Sequence, residues 1–132
     1  MDNDDKQGKK QKLIRKMKKE RGYLPPAWTY MVEHDIDFME AYDIMYELAL
    51  TDGKALPAKY REFIAIGILA FRGQDNAVYL HIKRALKLGA TRQEVLDAIK
   101  TTIVPGGVPA FGVALAAFMK VEEEGKKASQ HA

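Results

Sequence analysis

Apolar residues recur at intervals of three and four along most of the chain, which is the spacing of one face of an α-helix. Glycine, proline and capping residues separate these periodic stretches, and no stretch shows a strand alternation that outcompetes the helical spacing. The sequence therefore predicts an all-α fold. The predicted helices cover about residues 11–21, 26–33, 37–50, 58–71, 76–88 and 92–103, with a last helix that begins at Pro109.

The helix predicted to start at about residue 58 is apolar on nearly every side after its first turn, a pattern typical of a helix that is buried on most sides. A short break containing Gly73 separates it from the next helix. Because short connections join antiparallel helical neighbours, residues 58–72 and 76–88 are predicted to form a helical hairpin at the centre of the fold.

The domain organisation that we expect has three parts. A basic N-terminal arm or helix covers residues 1–21, a single all-α domain covers residues 22–125, and residues 126–132 form a disordered tail. The charged residues 1–10 are expected to be frayed. The most flexible connection within the domain is predicted at residues 104–109, where two prolines and two glycines occur together.

The positive charge is concentrated in the arm. The formal net charge is +3, and residues 1–21 contain nine Lys or Arg against four Asp or Glu. A basic helix can bind nucleic acid or an anionic membrane, but no aromatic residue accompanies these cations to stack on bases. We therefore interpret the arm as a solvated helix that rests its apolar stripe on the rest of the protein, and expect binding of neither nucleic acid nor a membrane.

The composition excludes several kinds of chemistry. The chain has no cysteine, so disulfides, thiolate metal sites and thiol redox reactions are absent. The three histidines, at positions 34, 81 and 131, form no closely spaced ligand group, and we expect neither a metal nor a cofactor. No signal peptide and no apolar run of about 18 residues is evident, which favours a soluble, cytoplasmic protein.

Glu62 and His81 are the strongest candidates for chemistry. Helical spacing places Glu62 on the same face as Ala58 and Ile66, where a carboxylate needs a partner or a proton. His81 shares its face with small residues such as Ala77, which leave space beside the ring. Two interpretations stay open at this point: an acid–base pair that acts on a substrate, or a buried hydrogen bond that only holds two helices in register.

Three segments in this order resemble the superfamily of carboxymuconolactone decarboxylase and alkylhydroperoxidase D. They are LPAKYREFIAIGILAF at residues 56–71, AVYLHIKRALKLGATRQEVLDAI at residues 77–99, and GGVPAF at residues 106–111. The resemblance implies an alkylhydroperoxidase D-like helical domain. It also implies a homo-oligomer, either a trimer or a hexamer.

The peroxidase branch of this superfamily uses a CxxC pair together with a histidine and a glutamate. Carried over to this chain, the histidine is His81 and the glutamate is Glu62, whereas the cysteine positions are Gln74 and Ala77. Without thiols, peroxide reduction by a dithiol is not expected.

The decarboxylase branch needs no cysteine. By this resemblance, His81 would donate a proton or stabilise charge, Glu62 would orient His81, and Arg61 or Arg84 would hold the carboxylate of a small organic acid or lactone. A non-catalytic oligomeric binding or scaffold protein with a structural Glu62–His81 pair is the alternative. A further alternative is that residues 9–21 of the arm bind an acidic partner or nucleic acid.

Overall fold

A computed structural model describes residues 2–130, and the regular elements of this part of the chain are all α-helices. The predicted all-α fold is confirmed. The helices are α1 (Asn3–Arg21), α2 (Pro26–His34), α3 (Ile36–Leu50), α4 (Ala58–Phe71), α5 (Asp75–Lys87), α6 (Arg92–Thr101) and α7 (Ile103–Gln130). They divide into two compact units, one ending at Thr51 and the other beginning at Asp52.

The helix ends follow the local chemistry of the sequence. Gly22 ends α1 in the left-handed region with φ 78°, where glycine has no steric penalty, and Pro26 occupies the first turn of α2. The capping box before α6 is complete, because the Thr91 hydroxyl accepts from the Glu94 amide while the Glu94 carboxylate accepts from the Thr91 amide.

Both ends of the chain are more helical than predicted. Residues 1–10 were expected to be frayed, but α1 begins at Asn3, with Asp4 and Asp5 in its first turn where the helix dipole favours negative charge. The tail at residues 126–132 was expected to be disordered, but α7 continues through Gln130. Residues 131 and 132 lie outside the described residues.

The connection predicted at residues 104–109 is also more regular than expected. The backbone is helical on both sides of Gly107, which alone leaves helical geometry, with φ 83° and ψ 171°. This conformation is accessible essentially only to glycine. A single glycine therefore redirects the chain, and the helix that follows buries Ala110, Ala114 and Phe118.

The unit formed by α1, α2 and α3 has its own small apolar core, in which Trp28 stacks on Tyr42 with the ring centroids 5.1 Å apart. The predicted boundary between arm and domain, after residue 21, falls inside this unit. The buried members of the core are Leu13, Ile14, Met17, Leu24, Val32 and Met39. The apolar stripe of α1 is thus buried, as required by the interpretation of the arm as a helix that rests this stripe on the rest of the protein.

A group of charges joins α1 to α3 within this unit. Asp43 is buried and accepts from Lys16 Nζ at 2.5 Å and from Arg21 Nη2 at 3.0 Å. Glu20 and Glu47 lie beside Asp43, with one oxygen of each carboxylate within 4.8 Å of the others. Burial raises the pKa of Glu20, and the hydrogen bond from Lys16 lowers the pKa of Glu47. The two cations offset most of the charge of the three carboxylates.

The unit formed by α4 to α7 contains the larger core. As predicted, α4 and α5 pack together as a helical hairpin, joined by a turn in which Gly73 has φ 71°. The small-residue face of α7 packs against both of these helices, and α6 closes the core. The buried members include Ile66, Ala70, Val78, Ile82, Ala85, Val95, Ile99, Ala114, Ala117 and Phe118.

By length and composition alone, α7 could cross a membrane. The expectation that the chain has no apolar run of about 18 residues is therefore wrong. The core helix of a soluble protein passes the same test when it is mostly buried; here 22% of the most apolar stretch of α7 is buried, and Ala114, Ala117 and Phe118 belong to the core of this unit.

The geometry of Gly107 predicts opposite effects for two glycine substitutions in α7. Gly107→Ala should lower the free energy of unfolding by about 1–3 kcal/mol, because alanine cannot adopt this backbone conformation without strain. Gly112→Ala is the matched control. A Cβ at this helical position meets no atom within 4 Å, so this substitution should raise the free energy of unfolding by about 0.5–1 kcal/mol. Urea unfolding followed by circular dichroism measures both, and equal effects would contradict this account.

Candidate functional site

Glu62 lies on the inward face of α4 and has no exposed surface. Ala58 and Ile66, one turn before and one turn after it, are buried on the same face. The helical period therefore carries a carboxylate into the apolar core, as the sequence predicted. Such a group is costly to bury unless strong donors replace the water that it has lost.

Two side chains of α5 supply those donors. Nδ1 of His81 lies 2.5 Å from Glu62 Oε2, and Nε of Arg84 donates to Glu62 Oε1 at 2.8 Å. His81 and Arg84 are three residues apart and so share one face of α5. Each oxygen of the carboxylate thus has a nitrogen partner, and the two contacts fasten α4 to α5.

His81 connects this buried pair to the surface. Its side chain is 20% exposed, whereas that of Glu62 is not exposed at all. Because Nδ1 is bound to the carboxylate, Nε2 is the ring nitrogen that remains for contact with a ligand. Ala77 and Ala85, one turn away on either side, add little bulk beside the imidazole. This arrangement can hold an imidazole in a fixed orientation.

The two arginines occupy different places. Arg84 is buried, with a side-chain exposure of 9%, and its Nε is committed to Glu62. Arg61 is partly buried, and its guanidinium lies beside the turn that precedes α4, where a Cβ added at Gly53 would be 3.2 Å from Arg61 Nη1. The substrate-binding roles assigned to both arginines stay predictions.

The positions of the missing redox pair flank the start of α5. Gln74 is the residue before the helix and is exposed, and Ala77 lies in its first turns and is partly buried. Neither side chain can undergo thiol chemistry. This chain therefore has the Glu62–His81 pair but lacks the redox couple that accompanies this pair in the peroxidase branch.

The contact between Arg84 and Glu62 was not predicted from the sequence. The available signal was the need of a buried carboxylate for a compensating cation, together with a basic residue three positions after His81. Lys83 and Lys87, two and six residues after His81, are both exposed. Helical spacing separates Arg84 from Lys83, because only the residue three positions after His81 shares its face of the helix.

Comparison with known proteins identifies relatives of this chain. Residues 37–120 match the model of the carboxymuconolactone decarboxylase family. An uncharacterised protein of Methanocaldococcus jannaschii is 37% identical over 81 residues, which cover 59% of this chain and 78% of that protein. An uncharacterised protein of Cupriavidus necator is 34% identical over 71 residues, which cover 54% of this chain and 62% of that protein.

A solved structure also resembles this chain. It is a Burkholderia xenovorans LB400 protein whose assignment as a carboxymuconolactone decarboxylase is provisional, and it superimposes with a TM-score of 0.75 at 25% identity. The match covers 95% of this chain and 98% of that protein. The helical architecture is thus one already found in a crystal structure.

The buried carboxylate predicts a large loss of stability when it is removed. Glu62→Ala withdraws the acceptor that His81 and Arg84 share and leaves a buried guanidinium without it, which should cost about 3–5 kcal/mol of unfolding free energy. Glu123→Ala on the exposed face of α7 is the control and should change stability by less than about 0.5 kcal/mol. Urea titrations of the two variants that gave similar midpoints would contradict this role for Glu62.

Proposed function

Because the chain belongs to the carboxymuconolactone decarboxylase family, we propose that it is a thiol-independent enzyme that decarboxylates a small lactone or a related organic acid. One observation carries this proposal: a fully buried carboxylate binds His81 through Nδ1, and the imidazole extends from it to the protein surface. This is the arrangement expected of a positioned proton donor.

The proposed reaction needs a proton at one carbon atom. When the substrate carboxylate leaves as carbon dioxide, the carbon–carbon bond breaks and its electron pair moves into the conjugated carbonyl as a dienolate. Protonated His81 then delivers the proton from Nε2 to the carbon of the dienolate and becomes neutral. Solvent returns a proton to the ring before the next turnover. Two-electron redox chemistry is not involved, and this route requires neither a metal nor a cofactor.

The neighbours of His81 have supporting roles in this proposal. The Glu62 carboxylate orients the ring and stabilises the imidazolium, while Arg84 holds Glu62 in position through its 2.8 Å contact. Arg61, with Arg84 as the other candidate, would bind the substrate carboxylate. A homo-oligomer, either a trimer or a hexamer, and a cytoplasmic location belong to the same proposal and rest on the family resemblance and on the composition.

A non-catalytic role is the second candidate. It is favoured by the complete pairing of Glu62, whose two oxygens each have a nitrogen partner in a site with no exposed carboxylate surface. In that case the same contacts would only keep α4 and α5 in register. The two functions differ in what happens when the imidazole alone is changed.

Replacement of His81 tests the proposed reaction. With carboxymuconolactone as the probe and carbon dioxide release as the readout, His81→Asn should reduce turnover by roughly 100-fold or more, because general acid catalysis contributes about that much. Thermal unfolding should show that the variant stays folded.

His34→Asn is the matched control, since His34 is an exposed histidine at the end of α2, and its turnover should equal that of the wild type. Full activity of His81→Asn would contradict catalysis by His81. A wild-type protein that releases no carbon dioxide from carboxymuconolactone or from related lactone acids would instead support the non-catalytic alternative.

A further inference from the structure

Three carboxylates meet around one ammonium group between α1 and α3. Nζ of Lys16 lies 2.5 Å from Asp43 Oδ2 and 3.8 Å from Glu20 Oε1. The same ammonium also forms an ion pair with Glu47. Arg21 supplies a second cation, with its Nη2 3.0 Å from Asp43 Oδ1. These five residues form a charge cluster in which two cations face three carboxylates, so full ionisation leaves one negative charge in excess.

Water screens the inner side of this charge cluster poorly. Asp43 is buried and the side chain of Arg21 is 8% exposed, while one oxygen of each of the three carboxylates lies within 4.8 Å of the others. Repulsion between carboxylates at this distance favours protonation of one of them. The outer side of the cluster, at Lys16 and Glu47, reaches solvent, which gives a proton a path in and out.

Glu20 and Glu47 are the two groups that can share this proton. Their carboxyl groups are hydrogen-bonded to each other, a contact that two ionised carboxylates cannot make because neither has a hydrogen to donate. Burial raises the pKa of Glu20, whereas the hydrogen bond from Lys16 lowers the pKa of Glu47. The proton therefore belongs to Glu20, and Glu47 accepts the hydrogen bond.

The other charged and titratable groups of these helices lie apart from this proton or carry no acid of their own. The nearest cations of α1 outside the cluster, Lys18 and Lys19, are exposed. From α3, the ring of Tyr46 lies under the Arg21 guanidinium, 3.7 Å from its centroid. The titratable residues of α2 are Tyr30, Glu33 and His34. Glu33 pairs with Lys10, almost three turns before the cluster, and the rings of Tyr30 and His34 contact each other.

We propose that the proton shared by Glu20 and Glu47 is a pH-sensitive switch that holds α1 against α3. While Glu20 carries the proton, two cations face two carboxylates and the charge cluster is neutral. When the pH rises, Glu20 releases the proton to solvent and the three carboxylates repel one another. The contact between the second half of α1 and α3 then weakens. This switch is independent of the proposed reaction.

Opening of this contact would disturb the small core beneath α1. The guanidinium of Arg21 also lies 5.3 Å from the ring centroid of Tyr42, and Tyr42 stacks on Trp28. The buried residues that α1 contributes to this core are Leu13, Ile14 and Met17. Because Trp28 is the one tryptophan of the chain, its fluorescence reports on this unit.

The direction of the pH effect follows from the two pKa shifts. A raised pKa of Glu20 stabilises the closed contact at low pH, and this contribution is lost as the pH rises through the raised pKa. A lowered pKa of Glu47 stabilises the contact above the ordinary glutamate pKa of about 4.3, and this contribution is lost as the pH falls through the lowered pKa. The contact should therefore be strongest at mildly acidic pH.

Urea unfolding followed by Trp28 fluorescence, at about pH 5 and about pH 8, tests the switch. Glu20→Gln keeps a hydrogen-bond donor for Glu47 that cannot ionise, so at pH 8 this variant should unfold at a higher urea concentration than the wild type. At pH 5 the two midpoints should be closer together. Glu40→Gln is the matched control, because Glu40 of α3 pairs with Lys9 outside the charge cluster, and it should keep the pH dependence of the wild type. A lower midpoint of Glu20→Gln at pH 8, or equal gains for both variants, would overturn the inference.

Hydrogen exchange of the wild-type protein supplies a second test that needs no variant. Each opening of the contact releases one proton in the pH window below the raised pKa of Glu20, so the opening equilibrium of α1 should rise by up to about tenfold per pH unit there. After correction for intrinsic exchange rates, the amides of the second half of α1 should lose protection between pH 5 and pH 8, and those of α5 should not share this loss. Unchanged or rising protection of α1 would contradict the switch.

Discussion

The carboxylate of Glu62 imposes the strongest constraint on the unit formed by α4 to α7. A charge with no exposed surface must be compensated by donors held at short distance, and here both donors come from one face of α5. The short turn at Gly73 brings that face opposite α4, and the small residues of α7 allow the hairpin to pack closely. Apolar packing surrounds the contact, but the contact determines which residues of the two helices face each other.

The two helices contribute different groups to the site. The inner face of α4 supplies the carboxylate that holds His81 by Nδ1, and α5 carries the imidazole outward. The outer face of α4 carries Ile64 and Ile68, which are 55% and 57% exposed, so the prediction of a helix buried on most sides is wrong for this face.

The sequence was most informative where local chemistry decides the structure. The all-α fold, the central hairpin and the capping box at Thr91 follow from periodicity and capping residues. Periodicity also placed Glu62 and His81 each on an apolar face, whereas their pairing was expected from the family resemblance. The pairing of Arg84 with Glu62 was not predicted, because the sequence analysis assigned Arg84 to the carboxylate of a substrate. The single non-helical residue at Gly107 could not be separated from the other glycine and proline signals around it.

Exposure of the apolar faces was the largest difference from the sequence predictions. Periodicity identifies which positions of a helix are apolar, but it does not reveal what covers them. On α3, for example, Met39 and Asp43 are buried, whereas Ile44, Met45 and Leu48 are exposed despite their apolar character. The same holds for Ile64 and Ile68 on α4. A pattern that predicts burial in one chain is equally compatible with burial between copies.

The position of the proton on the neutral His81 ring tests the central claim most directly. Long-range proton–nitrogen correlation spectra resolve the ring nitrogens of the three histidines, and the His81 signals can be assigned from their loss in His81→Asn. At a pH where this ring is neutral, the account predicts a proton on Nδ1, donated to Glu62, and none on Nε2. A neutral ring with its proton on Nε2 would contradict the proposed anchoring of the imidazole by Glu62.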